Sequence, residues 1–448
     1  MKSGLNQFLS PFRIIIISYV VAMVLFSFLL YLPISHQPGV KVTYTEALFT
    51  SVSAVSVTGL SVVNVPETYS YIGIIFLALA IQLGGIGIMT MGTFVWMLFG
   101  RKINFAQRML IMVDQNQNTF SGLVNLMRGI LFVALIIEFI GALILGTYFI
   151  RYFDTVGEAY YQGAFASLSA FTNAGFDVTG QSLIPFANDY YVQFVVILLI
   201  FAGAIGFPVL LELREYFSKK NPNFKFSLFT KITTVTYFAV FFVGVIGIWA
   251  LETGHYYVGL DWHQQLFYSI FNSATSRSGG LSIMDVSDLN SATLLFISAL
   301  MIIGASPSSV GGGIRTTTVA VMFLTIRSFA LGKDDVKVFG REIHPEDRTK
   351  AFIVLSVFVV MLFAAVTLIV AFEGGDVNLI AIVFETASAF GTCGLSMGIT
   401  ADLTFASQFV LMILMFIGRV GLIAFLFSIR KRETKAHFRY PTERIIIG

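Results

Sequence analysis

Apolar stretches of membrane-spanning length alternate along this chain with short polar connections, and the pattern predicts its elements. A helix needs about 20 apolar residues to cross about 30 Å of hydrocarbon at about 1.5 Å per residue. Eight stretches meet that length: residues 12–32, 71–99, 126–150, 191–216, 230–251, 292–329, 351–372 and 405–429. The sixth is too long for one crossing and is interrupted by Gly304-Ala-Ser-Pro307-Ser-Ser-Val-Gly311-Gly312-Gly313. Proline removes a helix donor, and each glycine disfavours helix by about 1 kcal/mol. Freed backbone groups at that depth need a wet or protein-lined site. The first stretch is too long for the apolar part of a cleavable leader, so it reads as a first spanning helix.

Lysine and arginine cluster in alternate connections. Lys2 and Arg13 lie before or at the start of the first stretch, and Arg101, Lys102, Arg108 and Arg128 lie between the second and third or at the edge of the third. Arg214, Lys219, Lys220, Lys225 and Lys231 lie between the fourth and fifth. Arg327, Lys333, Lys337, Arg341, Arg348 and Lys350 lie between the sixth and seventh, and Arg430 to Arg444 form a basic tail. The other connections hold only Lys41, Arg151 and Arg277. Positive charge marks the cytoplasmic side. A multi-pass protein with both termini in the cytoplasm is therefore expected.

The four outer connections repeat one another. They read ALFTSVSAVSVTGLSV, GAFASLSAFTNAGFDV, LFYSIFNSATSRSGGLSI and IVFETASAFGTCGLSM. Their glycines, Gly59, Gly175, Gly280 and Gly394, lie 116, 105 and 114 residues apart by number. A period of a quarter-chain points to repeats: 12–100, 125–219, 228–330 with an intramembrane loop at 304–318, and 350–430, followed by a cytoplasmic tail at 431–448. About 12 helical residues precede each glycine, too few to span. The expected fold is all-α and polytopic, with eight transmembrane helices and four reentrant pore helices in four pseudo-symmetric units of helix, pore helix, filter and helix.

Composition narrows the function. The hydrophobic share is 56%, charged residues are 12% and mean hydropathy is +0.83. A soluble domain carries about 25% charged residues. One cysteine, Cys393, excludes an intrachain disulfide, and the five histidines show no metal-ligand spacing. A helix C-terminus carries partial negative charge, and backbone carbonyls beyond it can replace the hydration shell of an ion. The candidate carbonyl donors are Val57-Thr58-Gly59, Asn173-Ala174-Gly175, Ser278-Gly279-Gly280 and Thr392-Cys393-Gly394. Their side chains differ while the glycine recurs, as expected where the backbone is the ligand.

The motifs SVTGLSVV at 56–63, FTNAGFD at 171–177, GASPSSVGGGIRTTT at 304–318, SAFGTCGLSMG at 388–398, FIGRVG at 416–421 and the terminal RYPTERIIIG carry a resemblance. Over essentially the whole chain it resembles the Ktr/Trk/HKT superfamily of potassium transporters, and within it the KtrB-type membrane subunits of bacterial Ktr systems. The resemblance implies K+ as substrate, because glycine stands in all four filters. It implies a gate at Gly304, Ser306, Pro307, Gly311, Gly312 and Gly313. It also implies a barrier to cations from Arg419, which lies deep in the last apolar stretch. It further implies a homodimer in a bacterial plasma membrane, Na+ as a candidate coupling ion, and a separate cytosolic ring of nucleotide-binding RCK subunits (KtrA- or KtrC-like).

Other polar positions read as structural. Arg277, beside a filter, would repel cations if it faced them, so it is expected behind the filter, holding carbonyls or a carboxylate. Glu138 is expected to bond between helices. Glu46, Glu158 and Glu385 are expected to cap pore helices. Gln82 and Gly84-Gly85-x-Gly87 are expected to allow close helix packing. No P-loop, nucleotide fingerprint or catalytic residue is found, so no cofactor and no nucleic-acid partner is expected. The basic loops suit a cytosolic subunit or anionic lipid. Two alternatives stand beside K+ transport: a Na+-selective or non-selective relative, and an intramembrane serine hydrolase using Ser306, Ser308 or Ser309. The second lacks a histidine in any apolar stretch.

Overall fold

The computed structural model describes residues 10–98, 105–114, 123–218 and 224–429, with Glu443 and Ile445. Lys2, Arg101, Lys102, Lys219, Lys220, Arg430 and the other basic residues of the expected tail lie outside the described residues.

Four times the chain forms an outer helix, a short pore helix, an extended return and an inner helix. The first set is α1 (Pro11–Tyr31), α2 (Tyr44–Ser56), then α3 (Tyr71–Ile86) and α4 (Ile88–Leu98). After α5 (Phe105–Asp114) come α6 (Leu123–Phe149), α7 (Val156–Thr172), α8 (Tyr190–Ala204) and α9 (Phe207–Phe217). The third set is α10 (Leu228–Glu252), α11 (Trp262–Thr275), α12 (Ser291–Ile302) and α13 (Thr316–Ala330). A two-stranded hairpin, β1 (Lys337–Val338) and β2 (Arg341–Glu342), precedes the last set. That set is α14 (Pro345–Phe372), α15 (Leu379–Gly391), α16 (Phe405–Val420) and α17 (Leu422–Ile429).

The four outer helices are each long and apolar enough to cross a bilayer alone. The inner helices are not straight. The sequence shows one interruption, and the structure has four. α3 and α4 meet at 106°, α8 and α9 at 104°, and α16 and α17 at 97°. Gly87, Gly206 and Gly421 stand at these bends with φ of 100°, 103° and 89°. The third inner helix is broken by a non-helical segment, residues 303–315. The expected loop of 304–318 therefore ends early, because Thr316 to Thr318 form the first turn of α13. A single glycine costs a helix about 1 kcal/mol, too little to interrupt an apolar run in the sequence, so three breaks went unread.

Polar N-caps start the pore helices: Thr43, Thr155, Asp261 and Asn378. Glu46 closes a capping box with Thr43, and Glu158 lies in the first turn of α7. Glu385 does not cap. It lies two turns into α15, fully buried, and accepts from Ser396 Oγ at 2.6 Å, Met397 N–H at 2.9 Å and Thr400 Oγ1 at 2.9 Å. It anchors the chain leaving the fourth filter.

Hydroxyls and glycines hold the layers together. Ser51, Ser167 and Ser273 of the first three pore helices donate to Met23, Glu138 and Phe241 carbonyls of their outer helices. Gln82 Nε2 donates to both carboxyl oxygens of Glu138, at 3.1 and 3.0 Å, joining α3 to α6. Apolar side chains cover the perimeter, with Val360 70% and Phe363 69% exposed on α14. Lipid is the solvent that such a surface fits.

Candidate ion pathway

The pore helices end in one repeated geometry. Val57, Asn173, Ser278 and Thr392 all have positive φ, between 46° and 71°, and so do Gly59, Gly175, Gly280 and Gly394, between 68° and 98°. The middle residues, Thr58, Ala174, Gly279 and Cys393, do not. The recurrence places Gly280, not Gly279, in register with the other three glycines. Alternating hand turns successive peptide groups to one side of a segment. The middle N–H groups bond back to Ser53, Ser169, Thr275 and Ser388 carbonyls at 2.7 to 2.9 Å, which ties each return to its own pore helix.

The four returns meet. A Cβ built on Gly59 would fall 2.5 Å from the Ala174 carbonyl oxygen and 2.8 Å from Gly175 Cα. One on Gly280 would strike the Cys393 carbonyl, and one on Gly394 the Thr58 carbonyl. Gly175 lies against both Gly59 and Gly280. The glycines thus ring one axis with neighbouring carbonyls directed at them. Ser53 and Ser388 hydroxyls accept from Gly59 and Gly394 N–H at 3.1 and 3.0 Å. Two residues beyond each glycine, Ser61, Asp177, Ser282 and Ser396 accept from the backbone N–H of a following residue. That fourfold side-chain turn was visible in the sequence only as Leu-Ser or Phe-Asp after glycine.

A second repeat lies beneath. Gly84, Gly203 and Gly418 each face a pore-helix carbonyl four residues before a filter glycine: Val55, Phe171 and Phe390. Each sits three residues before a bend: Gly84-Gly-Ile-Gly87, Gly203-Ala-Ile-Gly206 and Gly418-Arg-Val-Gly421. The third inner helix has Gly304-Ala-Ser-Pro307. A glycine 24 to 28 residues after each filter glycine, by number, would have exposed the motif in the sequence. Arg419 occupies the place held by Gly85, Ala204 and Ala305 in the other repeats. Gly85 and Gly87 accordingly belong to a break and not only to helix packing.

The segment 303–315 lies under the filter. Gly312 N–H donates to Thr392 Oγ1 at 2.8 Å, and a Cβ on Gly311 would meet the Ser278 side chain at 2.8 Å. Ser306 and Val310 N–H donate to Ala204 and Gly203 at 3.0 and 3.3 Å, while Ser308 accepts from Phe207 N–H at 2.8 Å. Gly313 N–H reaches Gly418 at 3.3 Å, Gly304 abuts Gly312, and Pro307 abuts Gly206. The segment therefore spans from the bend of the second repeat to that of the fourth. The breaks free the backbone groups that receive it.

Three arginines hold this segment, one of them, Arg315, being its own last residue. Arg277 is fully buried behind the filter, over the Tyr237 ring at 4.0 Å. It donates to the Tyr237 carbonyl at 2.5 Å and the Gly304 carbonyl at 3.4 Å; its partners are carbonyls, not a carboxylate. Arg419 donates to Val310 on one side and to Gly84 and Gly85 on the other. Sequence reasoning passed over Arg315, which donates to Gly311 and Ser306 carbonyls at 2.5 and 3.2 Å. The Ser306 hydroxyl pairs with Thr316 and the Ser309 hydroxyl with the Ser306 carbonyl, and no described histidine bonds to either. No group of metal-ligating His, Cys, Asp or Glu occurs among the described residues.

Residues 7–440 match the family model described as TrkH, cation transport protein. The chain is 53% identical to Ktr system potassium uptake protein D of Bacillus subtilis, over 100% of both chains. It is 33% identical to Ktr system potassium uptake protein B of the same organism, over 98% of this chain and 97% of that one. Its structure matches the potassium transporter TrkH from Vibrio parahaemolyticus with a TM-score of 0.74 at 14% identity, covering 95% of this chain and 86% of that chain.

Proposed function

This chain belongs to the TrkH family of cation transport proteins, a membrane transporter and not an enzyme, and from that premise we propose that it is the K+-translocating pore subunit of a K+ uptake system of the Ktr type. The observation that carries the reading is the ring of four glycine-bearing segments with one shared handedness. Main-chain oxygens in such a ring can replace the water a K+ ion sheds. The four helix C-termini behind them add partial negative charge at the same point. Val57, Thr58, Gly59, Asn173, Ala174, Gly175, Ser278, Gly279, Gly280, Thr392, Cys393 and Gly394 form the filter. Arg277 supports it from behind.

Residues 304–313 act as the gate, since they occupy the space directly under Ser278 and Thr392. Arg419 reinforces closure by placing positive charge across the same space. Opening requires the segment to leave Gly203, Ala204 and Gly418. Na+ is a candidate coupling ion. The working assembly is a homodimer with a cytosolic RCK-type nucleotide-binding ring on its basic loops, both termini lying in the cytoplasm. Anionic lipid is a further contact of those loops.

The test is K+-limited growth of an uptake-deficient bacterial strain carrying this chain, with and without a cytosolic partner, combined with labelled K+ or Rb+ and Na+ uptake. Rescue with K+ favoured over Na+ supports the reading. Equal Na+ flux, or undiminished K+ uptake after Gly59→Ser or Gly394→Ser, overturns it.

A further inference from the structure

We propose that the cavity beside the intramembrane segment is an oxyanion site, in which Arg315, Arg419 and the first turn of α17 hold a phosphate-type anion. The cavity measures about 130 Å³ and is bounded by α1, the bend at Gly87, the segment at Ser308 to Arg315, and the bend at Gly421. Two arginines line it, and no Asp or Glu stands among its described lining residues. Neither arginine belongs to an ion pair among the described residues. Arg419 is only 6% exposed. Two like charges on one cavity, Arg419 buried and Arg315 half-buried, are unfavourable without a counter-charge, by desolvation and by mutual repulsion.

Backbone carbonyls offset part of this. Arg419 directs both Nη atoms at Val310, Gly84 and Gly85, and Arg315 directs Nη1 at Ser306 and Gly311. Arg419 Nε is buried with no hydrogen-bond partner among the described residues, and the bonds of Arg315 run through Nη1. Leu422, Ile423 and Ala424 line the same space and precede the first i to i−4 bond of α17, which runs from Phe425 N–H to Gly421. A helix start offers unpaired N–H groups and partial positive charge, a ready anion cradle. Guanidinium forks match tetrahedral oxyanions. Phe12, Ile15 and Val354 form an apolar wall on the same cavity. The phosphate can therefore come from solution or from a phospholipid headgroup. In either case the anion fastens both arginines, and through them Ser306, Val310 and Gly311, in their present seat. The bound anion would offset the positive charge of Arg419, so with it in place the seated loop is the barrier, whichever cation the filter passes.

The experiment uses the full chain in detergent, stripped of lipid, with unfolding followed by the fluorescence of its three tryptophans. Inorganic phosphate replaces chloride at constant ionic strength. The expected result is a melting temperature that climbs with phosphate, with at least tenfold more phosphate required in Arg315→Gln. In a second arm, phosphatidylglycerol is compared with phosphatidylcholine. Response to phosphate assigns a free anion, and response to phosphatidylglycerol alone assigns a headgroup. Thr318→Glu, placing a carboxylate on the cavity wall, should abolish either response. No response in both arms, or equal responses in wild type, Arg315→Gln and Thr318→Glu, overturns the site.

Discussion

Gly59 shows how little room the filter leaves for chemistry other than backbone. Its φ of 95° suits no L side chain, and a Cβ there would overlap the neighbouring strand. Left-handed backbone costs about 1–2 kcal/mol per residue, before the displaced Ala174 carbonyl is counted. Gly59→Ala should therefore lower K+ uptake at least tenfold with the protein still inserted, measured as labelled uptake per folded protein. Arg277 presents the opposite case, a large charge used for architecture. Arg277→Met fills similar space but strands the Gly304 carbonyl in an apolar interior, while the Tyr237 carbonyl, inside α10, keeps its helix bond and loses only the charged second donor. Each unsatisfied buried group costs about 1–3 kcal/mol. Thermal unfolding should show that loss, and Arg277→Lys should recover only part of it, since one ammonium cannot reach both carbonyls in the plane that also covers Tyr237. Asn173 stands apart from its equivalents. Its amide is buried, and neither Oδ1 nor Nδ2 has a protein partner among the described residues.

At the scale of elements, the bent inner helices matter most. Gly203 approaches the Phe171 carbonyl so closely that no side chain fits. Gly203→Ala would gain about 1 kcal/mol of helix propensity yet should destabilise the protein, because α8 must withdraw from its pore helix. A fall in melting temperature checks this, and a rise would show that the contact is dispensable. Outer and inner helices are also tied at the side opposite the bends. Asp189 caps α8 and accepts from Tyr152 Oη at 2.5 Å and Tyr148 Oη at 3.2 Å. Glu373, at the end of α14, accepts from Thr404 N–H at 3.0 Å and Thr404 Oγ1 at 2.8 Å. Partial burial pushes both carboxyls up, but these hydrogen bonds, joined at Glu373 by the Ser407 hydroxyl, outweigh it and hold them below the usual carboxylate range. A depressed pKa stabilises the folded state fully above the unfolded value, about 4, and that stability is lost as pH falls through the folded value. Melting measured from pH 6 to pH 3 should decline at the acid end, and Asp189→Asn with Glu373→Gln should flatten the decline.

For the whole molecule, the apolar perimeter and the polar interior are inverted from a water-soluble protein. Buried serines and threonines crowd the pore helices, while Val360 and Phe363 face outward. Val360→Arg should cost about 2.5–3.5 kcal/mol if that position lies at the bilayer centre, and membrane-inserted yield would report it. In a soluble protein the same exposed position would tolerate arginine. The four units share one axis, but the symmetry is broken in the third and fourth inner helices. One inner helix carries a long segment in place of a glycine bend, and one ring position carries Arg419 in place of glycine or alanine. Both departures lie on the same level below the filter.

The spans, the fourfold period and the four glycines that meet on the axis were legible in the residues, because hydrophobic length and repetition are properties of the chain alone. So was the oddity of 304–313, since proline and three glycines oppose helix wherever they stand. The bends at Gly87, Gly206 and Gly421 were not, because one glycine in an apolar run weakens a helix without ending it. Whether it ends depends on what receives the freed N–H and C=O groups, and here the receivers come from other repeats. Glu385 was misplaced for a related reason: its partners, Ser396 to Thr400, arrive only when the chain doubles back. Arg315 and Arg419 were separate residues in the sequence, over 100 positions apart. Their joint hold on a single loop, across one cavity, exists only because folding sets the third and fourth repeats side by side.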